Sequence, residues 1–168
     1  MSGTLELRDE PYDSPTAVGL IAAVQQEYVV RYGGPDESPV QPGEFAPPHG
    51  RFVVGYVGTT AVATGGVRRV DATTVEIKRM YVVPDHRGRG YARTVLTHLE
   101  ELARSLGADR VVLETGLKQP EAMQLYESAG YERIEGFGHY CGQELSVSYG
   151  KSLYPVTGFP VPGHPVTG

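Results

Sequence analysis

The chain has 168 residues, 40% hydrophobic and 21% charged, with net charge −5, which suits one soluble globular domain and argues against general attraction to nucleic acid or anionic membranes. Its single cysteine, Cys141, excludes an internal disulfide framework and fits a reducing compartment. The start, MSGTLELRDEP, lacks the apolar core of a signal peptide, and the run Val18–Val24 is far short of the ~20 residues that span a bilayer, so a cytoplasmic protein is expected.

Leu5 and Leu7 alternate with polar neighbours and predict a short first strand. From Ser14 the spacing becomes helical: Ala17, Leu20, Ile21, Val24 and Tyr28 recur every three or four residues. Ser14 is a credible N-cap before Pro15, and Gly33-Gly34 ends the element. The stretch Gly34–Gly50 is thick with proline and glycine, and connections of that length are often functional or mobile. Strands are predicted at Arg51–Val57, Thr60–Val70 and Thr74–Val83. A helix over Tyr91–Leu106 places Ala92, Val95, Leu96, Leu99, Leu102, Ala103 and Leu106 on one stripe, with Gly107 as its stop. Arg110–Thr115 reads as a buried strand, Pro120 opens another helix closed by Gly130, and Tyr131–Ile134 and Leu145–Leu153 complete the sheet. Residues 1–153 therefore read as one domain. The last residues, PVTGFPVPGHPVTG, carry no packing pattern and read as a disordered or loosely draped tail over 154–168.

The most informative stretch is VEIKRMYVVPDHRGRGYA, from Val75 to Ala92. A strand runs through a glycine- and arginine-rich turn into the start of an amphipathic helix. First-turn amides have no helical acceptor and carry partial positive charge, and glycine lets the backbone approach an anion closely. A phosphorylated ligand, most simply a pyrophosphate, is expected there. A nucleic-acid patch is the competing reading of Arg87, Arg89 and Arg93. These arginines are local, the chain is acidic and no aromatic platform interleaves them, so a small phosphorylated cofactor is favoured. The partial G-x-G-x-x-G match fails at Arg93 and lacks an initial βαβ unit. Five histidines, among them His86, His98 and His139, are scattered without metal-ligand spacing, and no metal is expected. No cysteine–histidine nucleophile pairing is visible around Cys141.

Arg87-Gly88-Arg89-Gly90-Tyr91-Ala92 resembles the Arg/Gln-x-x-Gly-x-Gly/Ala signature of the GNAT superfamily of acyl-CoA-dependent N-acyltransferases. Ala122-Met123-Gln124-Leu125-Tyr126-Glu127-Ser128-Ala129-Gly130-Tyr131 is similar to that family's late helix. The resemblance implies an α/β fold: a mostly antiparallel sheet of six to seven strands, helices on both faces, and a V-shaped splay between the two central strands. It also implies acetyl-CoA as co-substrate, its pyrophosphate cradled by the backbone of Gly88, Arg89, Gly90, Tyr91, Ala92 and Arg93. Tyr81, Val82 and Val83 would pair with the pantetheine arm like an added strand. Gln119 stands where many members place an asparagine on that arm.

Acetyl transfer to an amine needs a base, a stabilised oxyanion and a proton for the departing thiolate. The resemblance assigns the thiolate's proton to Tyr126, against the plainer reading that Tyr126 only packs on the sheet. The Val82 amide is the candidate oxyanion donor. Glu76 is the candidate base, because a carboxylate on an otherwise apolar strand is costly without a task or a partner; the alternative is a cross-sheet pair with Lys78 or Arg68. Asp71 and Glu114 are weaker base candidates that read rather as solvated or structural carboxylates, and Tyr28, Phe45 and Tyr140 read as walls of the acceptor site. The expected activity is N-acetyl transfer from acetyl-CoA to a primary amine, small-molecule or protein, by direct attack. The alternative is an inactive coenzyme A-binding regulatory or partner module. The family resemblance also raises a homodimer.

Overall fold

Strands in this chain arise where β-branched residues alternate or cluster, and seven of them join edge to edge. The computed structural model describes residues 4–137 and 143–153, so the tail and the trio His139, Tyr140 and Cys141 lie outside the described residues. The elements are β1 (Leu5–Asp9), α1 (Pro15–Tyr32), β2 (Gly50–Val57), β3 (Thr60–Arg69) and β4 (Thr74–Val82). They continue with α2 (Tyr91–Ser105), β5 (Arg110–Gly116), α3 (Pro120–Ser128), β6 (Glu132–Ile134) and β7 (Ser146–Ser152). The sheet order is β1-β2-β3-β4-β5-β7-β6, and every neighbouring pair is antiparallel except β4–β5. The expected elements all form, with ends shifted by a residue or two.

The Ser14 hydroxyl accepts the Ala17 amide at 3.1 Å to start α1, and Gly33 ends it at φ 81°, a left-handed conformation that glycine adopts without steric cost. α1 lies on one face of the sheet, where Ala17 packs with Phe45, Phe52 and Val54. α2 and α3 lie on the other. The stripe Val95, Leu96, Leu99, Leu102 and Ala103 is buried against Val53, Val62, Val67, Val75 and Val111. Burying each such side chain contributes about 1.5–3 kcal/mol. α2 sits so close to the sheet that a Cβ on Gly65 would stand 2.8 Å from Leu99 Cδ1. Glu100, on the same helix, accepts the Tyr131 hydroxyl at 2.8 Å and pairs with Lys151 at 3.1 Å, so this buried carboxylate is satisfied.

The 34–49 connection is more ordered than its composition suggests. Pro42–Phe45 forms a short 3-10 turn, and Phe45 is stacked on Tyr12 at 4.9 Å and edge-on to Phe52 at 5.9 Å. Phe45 therefore belongs to the core under α1 rather than to an acceptor wall, because three aromatic rings there bury one another.

One local event shapes the site. β4 and β5 pair only through Thr74–Arg110, Val75–Val111 and Glu76–Val112, then part. β5 continues against β7 as far as Gly116, while β4 stays with β3 as far as Val82. Where the strands part, β4 bulges: Thr64 faces Tyr81 but Gly66 faces Lys78, so Arg79 and Met80 together oppose Gly65. Arg79 takes φ 59°, the left-handed region that a side chain rarely adopts, and the Thr64 hydroxyl holds its carbonyl at 2.8 Å. The splay expected from the family resemblance is present.

Candidate active site

The parted strands open a cleft of about 1040 Å³ that runs from the start of α2, through the gap, to the C-terminal half of α1. At its α2 end Gly88 and Gly90 have φ 78° and 79°, and a Cβ on either would meet nothing within 4 Å. The turn is thus left-handed and uncovered, which suits close approach by an anion. The first helical hydrogen bond of α2 runs from the Thr94 amide to the Gly90 carbonyl at 3.1 Å. Ala92 and Arg93, earlier in that turn, have no helical carbonyl to donate to.

In the gap, the Val83 amide donates to Val62 O at 2.9 Å. Alternation along a strand then turns the amide and carbonyl of Val82 toward the open edge. The Val82 carbonyl accepts Arg87 Nε at 2.8 Å, so the amide is the strand's remaining main-chain donor at that point. Arg87 also donates to Glu27 at 2.8 Å and lies 5.5 Å from the centre of the Tyr81 ring. The first arginine of the glycine-rich turn thereby ties α1, β4 and the turn together.

Across the gap stands Tyr126. Its ring is buried between Tyr131, at 5.8 Å, and Tyr149, at 6.0 Å, while its side chain still lines the cleft. Burial pushes its phenol well above the usual range, and the nearby Tyr28 adds to this. A neutral, proton-bearing phenol is what such a setting stabilises. Tyr28 also lines the cleft, and burial pushes its phenol up to about 12. Tyr32 donates to Gln119 Oε1 at 3.1 Å, and Gly116 gives that phenol room, since a Cβ there would overlap it. Arg31 reaches the Lys118 carbonyl at 3.0 Å and Glu121 at 2.5 Å. The end of α1 is therefore clasped to the β5–α3 connection, over the mouth of the splay.

Of the residues singled out from sequence, Tyr81, Val82, Gly88, Gly90, Tyr91, Ala92, Arg93, Gln119 and Tyr126 line this one cleft. Three are seated elsewhere. Val83 spends its amide on Val62 and its carbonyl on His86. Arg89 turns outward, with Nη2 3.4 Å from the Asp85 carbonyl. Glu76 is buried against Arg68 at 3.0 Å, away from the cleft lining. Its partner is thus one of the two cross-sheet cations named as the alternative to a base role. Arg68 is additionally held by Glu44 at 3.3 Å.

Of the carboxylates on β4 and β5, Glu114 on β5 lines the cleft. Its only hydrogen-bond donor among the described residues is Ser146 Oγ, at 3.4 Å. Burial raises its pKa, and the neighbouring Glu76 raises it further. In sequence Glu114 ends an apolar run like any edge-of-strand charge, which ranks it below Glu76 as a base. What distinguishes it is its place two residues beyond the last β4–β5 pair, which only the fold reveals. Asp36 is the second such residue. It accepts the Ser38 amide at 2.9 Å, pairs with Lys78 at 3.1 Å and with Arg79 at 2.5 Å, and its main chain is held by Gln25 at 2.7 and 3.1 Å. Lys78 holds its carboxyl well below the usual range, against the opposing effect of burial.

Residues 18–131 match the model of the acetyltransferase (GNAT) family. An IAA acetyltransferase of Azospirillum brasilense is 34% identical over 109 residues, spanning 64% of this chain and 71% of that relative. A putative acyl-CoA N-acyltransferase of Klebsiella pneumoniae has 28% identity and a TM-score of 0.75, covering 90% of this chain and 99% of that one. A putative acetyltransferase of Salmonella typhimurium, described with its cofactor acetyl-CoA, shares the fold at a TM-score of 0.62 and 16% identity, over 91% of this chain and 96% of that one. A splayed β4–β5 edge, a glycine-led helix start and a family model that matches most of the chain converge: this protein belongs to the acetyltransferase (GNAT) family and is an acyltransferase.

Proposed function

We propose that the protein transfers an acetyl group from acetyl-CoA to a primary amine by direct attack, with no covalent enzyme intermediate. The observation that carries this reading is the continuity of one cleft, from the uncovered Gly88–Gly90 turn, past the outward amide of Val82, to Glu114 and Tyr126. The residues present fit acetyl-CoA: the left-handed glycines and the first-turn amides of Ala92 and Arg93 suit a pyrophosphate, and the open edge of β4 suits an amide-bearing arm. Bound acetyl-CoA supplies a thioester carbonyl, activated for attack. The chain's own groups then act in sequence. Glu114, rather than the ion-paired Glu76, takes a proton from the amine, directly or through water. Val82 N–H stabilises the oxygen of the carbonyl as it gains charge. Nitrogen–carbon bond formation and carbon–sulfur cleavage leave a thiolate, which takes the phenolic proton of Tyr126. Tyr28 walls the acceptor side. Arg87 holds Tyr81 and α1 in place.

Titration calorimetry tests the cofactor half. Gly90→Glu puts a strained side chain and a negative charge where the phosphates are expected, and acetyl-CoA affinity should fall at least a hundredfold; equal binding by both proteins rejects the reading. Release of free thiol with a panel of amines separates the enzyme from a coenzyme-binding module without turnover, which would bind acetyl-CoA tightly and release nothing. A cytoplasmic setting and a homodimer complete the proposal, the latter tested by mass in solution. Among the described residues no helix is long and apolar enough to cross a membrane.

A further inference from the structure

Two side chains of opposite charge line the cleft just beyond the point where the strands part. Glu76 and Val112 are the last paired residues, so Lys78 and Glu114, each two positions further along, are the first residues on that face that the splay separates. Both line the cleft. No ion pair joins them, yet Lys78 lowers the carboxyl of Glu114, so each lies within the other's field. Lys78 Nζ spends two of its three protons, on Ser38 Oγ at 2.6 Å and on Asp36 at 3.1 Å. Its third proton has no partner among the described residues. Its side chain is only 9% exposed, and Asp36 is shared with Arg79. The other charges near this spot are Glu76, already paired with Arg68, and Glu37 at the rim. A largely buried ammonium with an unspent donor and a half-buried carboxylate with one long hydrogen bond thus give one cleft wall both signs of charge. A molecule that carries both signs close together matches that wall, and a simple amine matches only half of it.

From this juxtaposition we infer that the acceptor is a free α-amino acid, its carboxylate received by Lys78 and its ammonium by Glu114. The inference rests on the acetyl-transfer reading and narrows it. Lys78 is a specificity-determining residue under this assignment, and Asp36 with Ser38 positions it. Neutral Tyr28 and Tyr32 and the apolar Leu145, which also line the cleft, leave an apolar or aromatic side chain of the amino acid well accommodated. Protein N-termini and protein lysines, which lack an adjoining carboxylate, fit the gap poorly.

The test compares acetylation of the common free amino acids with that of their carboxamides and of the corresponding decarboxylated amines, alongside acetyl-CoA titration of the same protein. The carboxamide has the more readily deprotonated amine, so intrinsic reactivity works against the expected result. The free acid should be preferred by roughly tenfold to a hundredfold in kcat/KM, chiefly through KM, as for loss of one hydrogen bond to a charged group. Lys78→Met should bring the ratio close to one by weakening the acid alone, with acetyl-CoA affinity unchanged; Lys78→Arg should keep part of the preference. Parity between acid and amide in the wild-type protein overturns the inference, as does turnover only of amines without a carboxylate, or tight acetyl-CoA binding with no amine acetylated. Should Lys78→Met not fold, the wild-type ratio still decides. Absence of acetyl-CoA binding is a different failure, because it removes the acetyl-transfer reading itself.

Discussion

At one end of the cleft Gly88 and Gly90 leave the start of α2 bare, and nothing stands within 4 Å of where their side chains would be. At the other end Asp36 and Ser38 of one turn, Lys78 and Arg79 of β4 and Gln25 of α1 interlock. The first region recognises by what is missing: main chain, positive by its dipole, waits for an anion of fixed chemistry. The second, under the proposed reading, would recognise by what is fixed in place, since buried charges must be paired and are expensive to rearrange. A co-substrate of fixed chemistry can be served by backbone alone, whereas discrimination among acceptors calls for placed side chains.

The largest effect should come from the acceptor end. Glu114→Gln should lower kcat by roughly 10²–10⁴, the usual range for a general base, with little change in acetyl-CoA affinity. A pH profile sharpens the point. The pKa of Glu114 is raised in the fold, so activity that needs its carboxylate should climb with pH through a limb above the ordinary carboxylate range, and the Gln variant should lack that limb. A profile unchanged by the substitution returns attention to Glu76.

Asp36→Asn comes next and separates the two ends through stability. It leaves Lys78 and Arg79 buried without their carboxylate and should cost about 3–5 kcal/mol in denaturant unfolding. The sign in pH follows from a depressed pKa. The stabilisation is present above the unfolded-state value and is lost as pH falls below it, so the acid side of the stability curve should flatten in the variant. Tyr126→Phe should reduce kcat toward the low end of the acid–base range, roughly 10², while acetyl-CoA binding persists. If instead stability falls and kcat holds, Tyr126 is a packing residue between Tyr131 and Tyr149. The smallest effect belongs to the clasp: Tyr32→Phe removes one hydrogen bond to Gln119 and should cost about 1 kcal/mol, read from unfolding.

Much of this was legible before any coordinates. Ser14 and Gly33 bound α1, Gly90 and Gly107 flank α2, and the valine-rich runs mark strands, because each rests on local rules of capping, periodicity and turn conformation. The proposed pyrophosphate site at Gly88 to Arg93 was readable for the same reason, since the signature consists of consecutive residues and the groups offered are backbone amides. Glu76 and Glu114 were not separable in this way. Both are carboxylates on apolar strands, and only the cross-sheet position of Arg68 and the place where β4 leaves β5 tell one from the other. Gly34–Gly50 was equally opaque: its composition suggests looseness, yet Phe45 and Asp36 anchor it through partners on α1, β2 and β4.

Sequence alone therefore determined the elements, their order and the glycine-led start of α2, all of which depend on contacts within about one turn of chain. Tertiary structure decided which charges are spent and which remain facing the cleft. The reason is physical: a carboxylate's protonation and availability depend on the cations, burial and strand spacing around it. For Glu114, Lys78 and Asp36 those neighbours come from segments tens of residues apart.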